Sequence, residues 1–295
     1  MGNHSFITDG PIRTEEDFFG RTAETKRVLG RLRRDQHVSI VGPRKIGKSS
    51  LLHHISRPSV FEAHRLTRTW HRFVYICCCD LANLTPAECH TEIARRVKQE
   101  IPEVVSLLPP DVAGSVPTPE YCSEYCRRFF REVARTGLRC ILMLDDFESL
   151  IQNSCLDRDF LDLWRSMNSM HEVVYVVAST EPLSVLEERW RGQWQEVESS
   201  PFFNIFFGQD LGPFSQDESR AFLQQRFQFA RLSVPDLVVD LILHWAQGHP
   251  HCLQSAGAFI GDLLQGTRGE WDERMIQQLR DHFADFSQSD ISPKK

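Results

Sequence analysis

The sequence contains no apolar run near the roughly 18 residues that a membrane-crossing helix requires, so no such helix is expected. Its opening, MGNHSFITDG, lacks the apolar core of a signal peptide, and Phe6 stands where a myristoylated chain carries Ser or Thr. Positive charge is not in excess. The formal net charge is −6, so the surface as a whole does not draw in nucleic acid or anionic lipid. No H-x-x-x-H or similar zinc spacing occurs, and no N-K-x-D motif of guanine recognition. The nine cysteines are odd in number and follow no framework spacing. Cys77, Cys78 and Cys79 are consecutive, and on a strand they would point to alternate faces rather than close on one metal. Cys122 and Cys126 share a helical face, but no second ligand pair follows. All nine are expected as reduced, mostly buried thiols, and the protein as cytoplasmic and free of membrane.

What is present points to an α/β chain. The 295 residues, 41% hydrophobic, suffice for one large domain or two small ones. Short apolar runs at Val38–Val41, Phe73–Cys79, Cys140–Leu144, Val173–Ala178 and Ile205–Phe207 read as buried strands. Helical patterns lie between them, such as Phe160, Leu163, Trp164 and Met167 at i, i+3, i+4, i+7. This alternation argues for a parallel sheet covered on both faces. The basic cluster Lys26, Arg27, Arg31, Arg33 and Arg34 reads as the solvated side of a helix whose apolar side carries Val28 and Leu32.

After Pro213 only helices are expected. Ser215 and Glu218 form a capping box ahead of Phe222, Leu223 and Phe227. Pro235 opens a second helix with Leu237, Val238, Leu241, Ile242 and Trp245 on one side. A third runs from Pro250 through Leu253, Ile260, Leu263 and Leu264. The expected divisions are a strap over residues 1–20, an α/β domain over 21–212, a small helical lid over 213–286 and a disordered tail over 287–295. Pro102–Pro119 holds five of the fifteen prolines and reads as an irregular surface insertion.

Two motifs carry chemistry. Gly42-Pro43-Arg44-Lys45-Ile46-Gly47-Lys48-Ser49 fits G-x-x-x-x-G-K-[ST], between a strand and a helix, with Ser50 following. Glycines let backbone N–H groups turn inward on phosphate oxygens at a helix N-terminus. Lys48 adds a mobile positive charge, and Ser49 offers a hydroxyl to Mg2+. The second motif is Cys140–Leu144 followed by Asp145, Asp146 and Glu148. Asp145, at the carboxyl edge of its strand, suits Mg2+; Asp146 or Glu148 would polarise the attacking water. Asp146 is one methylene shorter than glutamate, so slow hydrolysis is the expectation. The next strand ends in Ala178-Ser179-Thr180, where Thr180 is either a γ-phosphate sensor or a polar strand end capping a turn.

With these motifs in place the chain resembles the AAA+-like STAND NTPases, signal-transduction ATPases with numerous domains. Phe18-Phe19-Gly20-Arg21 with Glu24 is similar to the family's FxGRxxE motif beside adenine, and Gly10-Pro11-Ile12 to the strap before it. GPRKIGKSSLL and ILMLDDFESL resemble its phosphate loop and acidic strand. Residues 200–206 and Leu211 resemble the segment entering the fifth strand, and Gly248-His249-Pro250 with Gln254 the G-x-P lid motif, whose proline packs near the base. The likeness covers Phe18 to Leu264. It implies a five-stranded parallel sheet in 5-1-4-3-2 order with a small all-helical lid and ATP or ADP in the cleft. It also implies a switch, ADP-bound at rest and ATP-bound when active, whose partners are other copies of itself or a sensor or effector protein. Many members continue into a winged helix and further modules, which more sequence or another polypeptide would have to supply. A lid arginine sensing phosphate is not evident; Arg189 or Arg191 is either a finger for a neighbouring subunit or an exposed charge on a Trp-bearing helix. His249 is the histidine expected near nucleotide, while His53 and His54 are expected to face packing or solvent. The alternatives are a DNA-handling AAA+ ATPase of origin-recognition or transposition-regulator type, which the charge does not favour, and a non-hydrolysing scaffold that keeps ADP.

Overall fold

Five apolar segments form one all-parallel sheet: β1 (His37–Val41), β2 (His71–Cys77), β3 (Arg139–Asp145), β4 (Val173–Ser179) and β5 (Phe206–Asp210). Their order is β2-β3-β4-β1-β5, which is the expected 5-1-4-3-2 read from the other edge. The structure, a computed structural model, describes residues 6–113, 122–169, 173–194, 201–264 and 271–286. The expected tail, Ser200 and part of the proline-rich segment lie outside them.

The chain resolves into two compact units. One holds Arg21–Gly42 and Leu51–Asp210, and with them the sheet. Every residue of β4 is buried and all but the first of β3, as expected of central parallel strands covered on both faces. Helices α4 (Pro86–Glu100) and α7 (Cys122–Arg135) pack on β2 and β3 respectively, and on each other; α9 (Arg158–Ser169) lies against β4 and α1 (Thr22–Leu32) against β1. β5 closes one edge. Its Phe207 is exposed and lies under the guanidinium of Arg31, 4.1 Å from the ring centroid, so the basic side of α1 shields an edge strand.

The other unit holds the chain up to Gly20, the loop Pro43–Ser50 and everything from Leu211. Its core gathers α11 (Gln216–Ala230), α12 (Asp236–Ala246), α13 (Pro250–Leu264) and α14 (Glu273–Phe286) around Phe222, Leu223, Ile242, Leu253 and Leu279. The Ser215–Glu218 capping box is present in both directions. Phe6 and Phe19 of the strap pack on this core. The buried Arg226 of α11 ties the strap down, donating to the Asp17 carboxylate at 2.8 Å and to the Asp17 carbonyl.

Three expectations are corrected. The proline-rich segment is not irregular where described: Pro102–Leu107 and Pro110–Ala113 are short helices, each with proline at its start, where a missing N–H costs nothing. They bury Val104 and Val112, and Leu108 between them, in the core of the sheet unit. Leu237 does not share the apolar side of α12; it is 60% exposed at the helix's first turn. Nor are all nine cysteines reduced. β2 gives way after Cys77 to a turn of 3-10 helix, Cys78–Leu81, which draws the Cα atoms of Cys77 and Cys79 to 5.3 Å, and their sulfurs are bonded. The remaining cysteines are thiols, all buried except Cys155.

Candidate functional site

The phosphate loop sits in the same unit as the strap and lid helices, and it is held by both. Lys45 and Gly47 have positive φ, 60° and 102°, which turns successive amides of the loop the same way before helix α2 (Lys48–Ile55) begins. Ile46 is buried and anchors the loop. Lys48 is also buried, and its ammonium donates to the Pro43 carbonyl at 3.0 Å, folding the side chain back over its own loop. Gly42, Pro43, Arg44 and Ser49 complete the turn; Pro43, Arg44 and Lys45 are exposed, and Ser49 is half-buried.

From the strap, the Ile12 amide donates to the Ser50 hydroxyl at 3.0 Å. From the lid, a ring nitrogen of His249 lies 3.2 Å from the Arg44 carbonyl, and His251 Nε2 lies 3.1 Å from Lys45 Nζ. Pro250 opens α13 directly behind His249. Gly248, at φ 76°, accepts the Phe214 amide at 2.8 Å. The Phe214 ring in turn meets Phe19 with centroids 5.9 Å apart, and Gly20, at φ 67°, passes beside it. The motifs expected to bracket a base, Phe19-Gly20 and Gly248-His249-Pro250, are thus joined through Phe214.

In the sheet unit, the carboxyl ends of β1, β4 and β3 are successive neighbours. The Gly42 amide donates to the Ser179 carbonyl at 3.2 Å, linking the first two. Asp145 is 1% exposed. Its Oδ2 accepts the Tyr75 hydroxyl at 2.8 Å and its Oδ1 the Asp146 amide at 3.1 Å. Asp146 is exposed, with φ 50°, ψ 49°, a left-handed conformation uncommon outside glycine, and it caps the short helix α8 (Phe147–Ile151). The Thr180 hydroxyl donates to Glu148 Oε1 at 2.8 Å, so two residues singled out separately, as a candidate sensor and a candidate base, are in contact. Buried Cys78 feels this edge: burial first, then the carboxylates of Asp145, Asp146 and Glu148, push its thiol well above the usual range. Arg21 caps α1 in a left-handed conformation and pairs with Glu24 at 3.3 Å.

Of the arginine-finger candidates, Arg189 forms an ion pair with Glu181 of its own chain at 2.7 Å. His53 stacks on Tyr75 with centroids 4.6 Å apart, and His54 Nδ1 lies 3.1 Å from Arg57, so both are engaged in packing or local contacts. Sequence reasoning missed Tyr75, the residue that orients Asp145. On the strand it reads as one more apolar position, and only the β2–β3 pairing reveals its task.

A five-stranded parallel sheet in this order, with a G-x-x-x-x-G-K-S loop after β1 and an aspartate ending β3, defines an α/β P-loop NTPase of the AAA+ kind. Residues 12–254 match the family described as Novel STAND NTPase 1, and the chain belongs to that family. No curated protein matches the sequence. Among solved structures it is similar to a Walker-type ATPase of Pyrococcus abyssi, with a TM-score of 0.66 and 18% identity over 95% of this chain and 76% of that one. It is similar also to the Orc2 protein of Aeropyrum pernix in its ADPNP–ADP complexes (TM-score 0.67, 14% identity, 95% and 71% coverage) and to the RuvB branch-migration motor of Thermotoga maritima (TM-score 0.54, 14% identity, 92% and 72%). These likenesses carry the fold. No helix among the described residues is long and apolar enough to cross a membrane.

Proposed function

We propose that the chain is a nucleotide-dependent switch of signalling or defence type, which binds ATP or ADP with Mg2+, hydrolyses ATP slowly and rests with ADP. The observation that carries this reading is the double tether of the phosphate loop, to Ser50 from the strap and to Arg44 from lid residue His249. A loop that holds phosphates while bonded to strap and lid transmits its occupancy to both. Such a device switches only through a difference in affinity between two arrangements, and both tethers end on the loop where that difference arises.

The residues present fit a nucleotide and its metal. Lys45 and Gly47 turn amides inward, Lys48 supplies a cation that would exchange the Pro43 carbonyl for phosphate, and Ser49 supplies a hydroxyl. Asp145 would hold the metal; its carboxylate is buried, and Tyr75 fixes its orientation. When bound, Mg2+ neutralises the charge that builds on the outer phosphates. Glu148 is the better-placed base, since Thr180 steadies it; Asp146 is exposed and shorter. Phe19, Gly20, Arg21, His249 and Pro250 are assigned to the base and its lid. The active form would be read by another copy of the chain or by an effector protein in the cytoplasm.

The test is to denature freshly purified protein and identify any released nucleotide by chromatography, alongside Lys48→Ala. Near-stoichiometric ADP in the parent and none in the variant is expected. A parent that is empty and exchanges ATP freely would sink the resting-ADP reading, and DNA-stimulated, salt-sensitive turnover would then favour a DNA-handling ATPase.

A further inference from the structure

Cys77 ends β2, and Cys79 follows two residues later in the 3-10 turn, bonded to it through sulfur. Cys79 is exposed and Cys77 half-buried, whereas Cys78 between them points into the core. The pair is therefore open to small molecules, unlike every other cysteine except Cys155. Its position is specific. The β2–β3 register sets Cys77 directly opposite Asp145, and Tyr75, two residues earlier on the same face of β2, donates its hydroxyl to that aspartate. The ring closed by Cys77 and Cys79 thus fixes the strand end that carries the hydrogen-bond donor of Asp145.

We propose that Cys77 and Cys79 form a reversible thiol–disulfide site for low-molecular-weight disulfides, whose state sets how firmly Tyr75 orients Asp145. Starting from the dithiol, the Cys79 thiolate attacks one sulfur of a small disulfide RSSR. The S–S bond of RSSR breaks, and RS− leaves and takes up the proton that Cys79 lost. The Cys77 thiolate then attacks the Cys79 sulfur of the mixed disulfide; the Cys77–Cys79 bond forms and the second RS− leaves, taking the proton lost by Cys77. Two cysteine thiols lose two electrons and two protons, and RSSR becomes two RSH. A dithiol reductant runs the sequence backwards. Opening the ring frees the turn after β2 and loosens the end of the strand, so the Tyr75–Asp145 bond is made less of the time. The exchange itself stands on the geometry of the pair alone; its effect on Asp145 rests on the reading of that residue as the metal ligand.

The full chain is equilibrated in mixtures of reduced and oxidised glutathione, quenched with acid, alkylated with N-ethylmaleimide under denaturing conditions and mapped by mass spectrometry. The tryptic peptide Phe73–Arg95 holds Cys77, Cys78, Cys79 and Cys89. Its label count should fall from four to two as the mixture becomes oxidising, and stay at two in Cys77→Ser/Cys79→Ser. Four labels throughout, or a loss of two labels that persists in the double variant, overturns the site. The sulfurs and an Asp80 oxygen lie within 4.8 Å of one another, so zinc retained by the reduced protein and lost in Cys79→Ser would overturn it in favour of a metal site. For the coupling, the Mg2+ concentration that half-saturates binding of a fluorescent ATP analogue should rise roughly tenfold on reduction, and not change with redox state in the double variant. A response to Asp145→Asn without any response to reduction overturns the coupling. Label exchange with no response to Asp145→Asn instead places the failure in the reading of Asp145.

Discussion

The hydroxyl of Thr180 donates to Oε1 of Glu148 at 2.8 Å, joining the residue just past β4 to the helix that follows β3. Two side chains picked out for chemistry, on the segments that follow neighbouring strands, are thus bonded to each other. The bond steadies a carboxylate that would otherwise rotate, and it occupies one of its oxygens. With Glu148 as the proposed base, Glu148→Gln keeps the shape and removes that group, so ATP turnover should fall by roughly 100-fold or more. Thr180→Val should cost less, about tenfold. Steady-state phosphate release at saturating ATP measures both. Turnover unchanged in Glu148→Gln and also in Asp146→Asn would mean that neither carboxylate carries the reaction.

Tyr75 plays the corresponding part for Asp145. Removing its hydroxyl leaves the ring, and so the stacking on His53, in place. Tyr75→Phe should therefore leave stability nearly unchanged and, with Asp145 as the proposed Mg2+ ligand, weaken Mg2+ binding by roughly 10- to 100-fold, the usual cost of losing a partner that orients a metal ligand. Titrating Mg2+ against fluorescent-nucleotide binding gives the shift. An unaltered Mg2+ dependence would show that Asp145 needs no help from β2.

Gly248 is a steric requirement rather than a preference. A Cβ built there would come within 2.1 Å of the Phe214 carbonyl oxygen, and φ is already 76°. Backbone cannot swing aside as a side chain does. Gly248→Ala should lower the unfolding free energy by about 3 kcal/mol, with loss of the Phe214–Gly248 hydrogen bond. Gly20→Ala, whose Cβ would meet side-chain atoms alone, the edge of the Phe214 ring at 3.4 Å and a Glu218 carboxylate oxygen at 4.0 Å, should cost less. Urea unfolding of the two variants ranks them; equal losses would show that the contact with backbone is not what matters.

What could be read from the sequence follows the range of the signals. The phosphate loop, the buried strand before Asp145 and the Ser215–Glu218 capping box are local patterns, and each is where it was expected. The order of the sheet is a long-range property, and it came from the likeness to a family rather than from periodicity. Contacts made across strands or across the chain left no local mark. Tyr75 on Asp145 is 70 residues apart, and Arg226 on Asp17 is 209. The Cys77–Cys79 bond was missed for another reason. Alternation along a strand does put the two on one face, but their approach needs the strand to end at Cys77 and turn.

His90 of α4 is buried and stacks on Phe160 with ring centroids 4.8 Å apart, and neither ring nitrogen has a hydrogen-bond partner among the described residues. Burial lowers its pKa from 6.5 to about 4. The charged form is the disfavoured one, so the unfolded chain takes up a proton below about pH 6.5 while the folded chain stays neutral until about pH 4. Folding stability should therefore fall as pH drops through that window, by about 2 kcal/mol between pH 7 and pH 5 from this residue alone. His90→Phe keeps a flat ring against Phe160 and removes the titration. Its unfolding free energy should fall less than the parent's over the same interval, by about that amount. If urea midpoints of parent and variant decline in parallel from pH 7 to pH 5, His90 is not the group that makes the fold acid-sensitive.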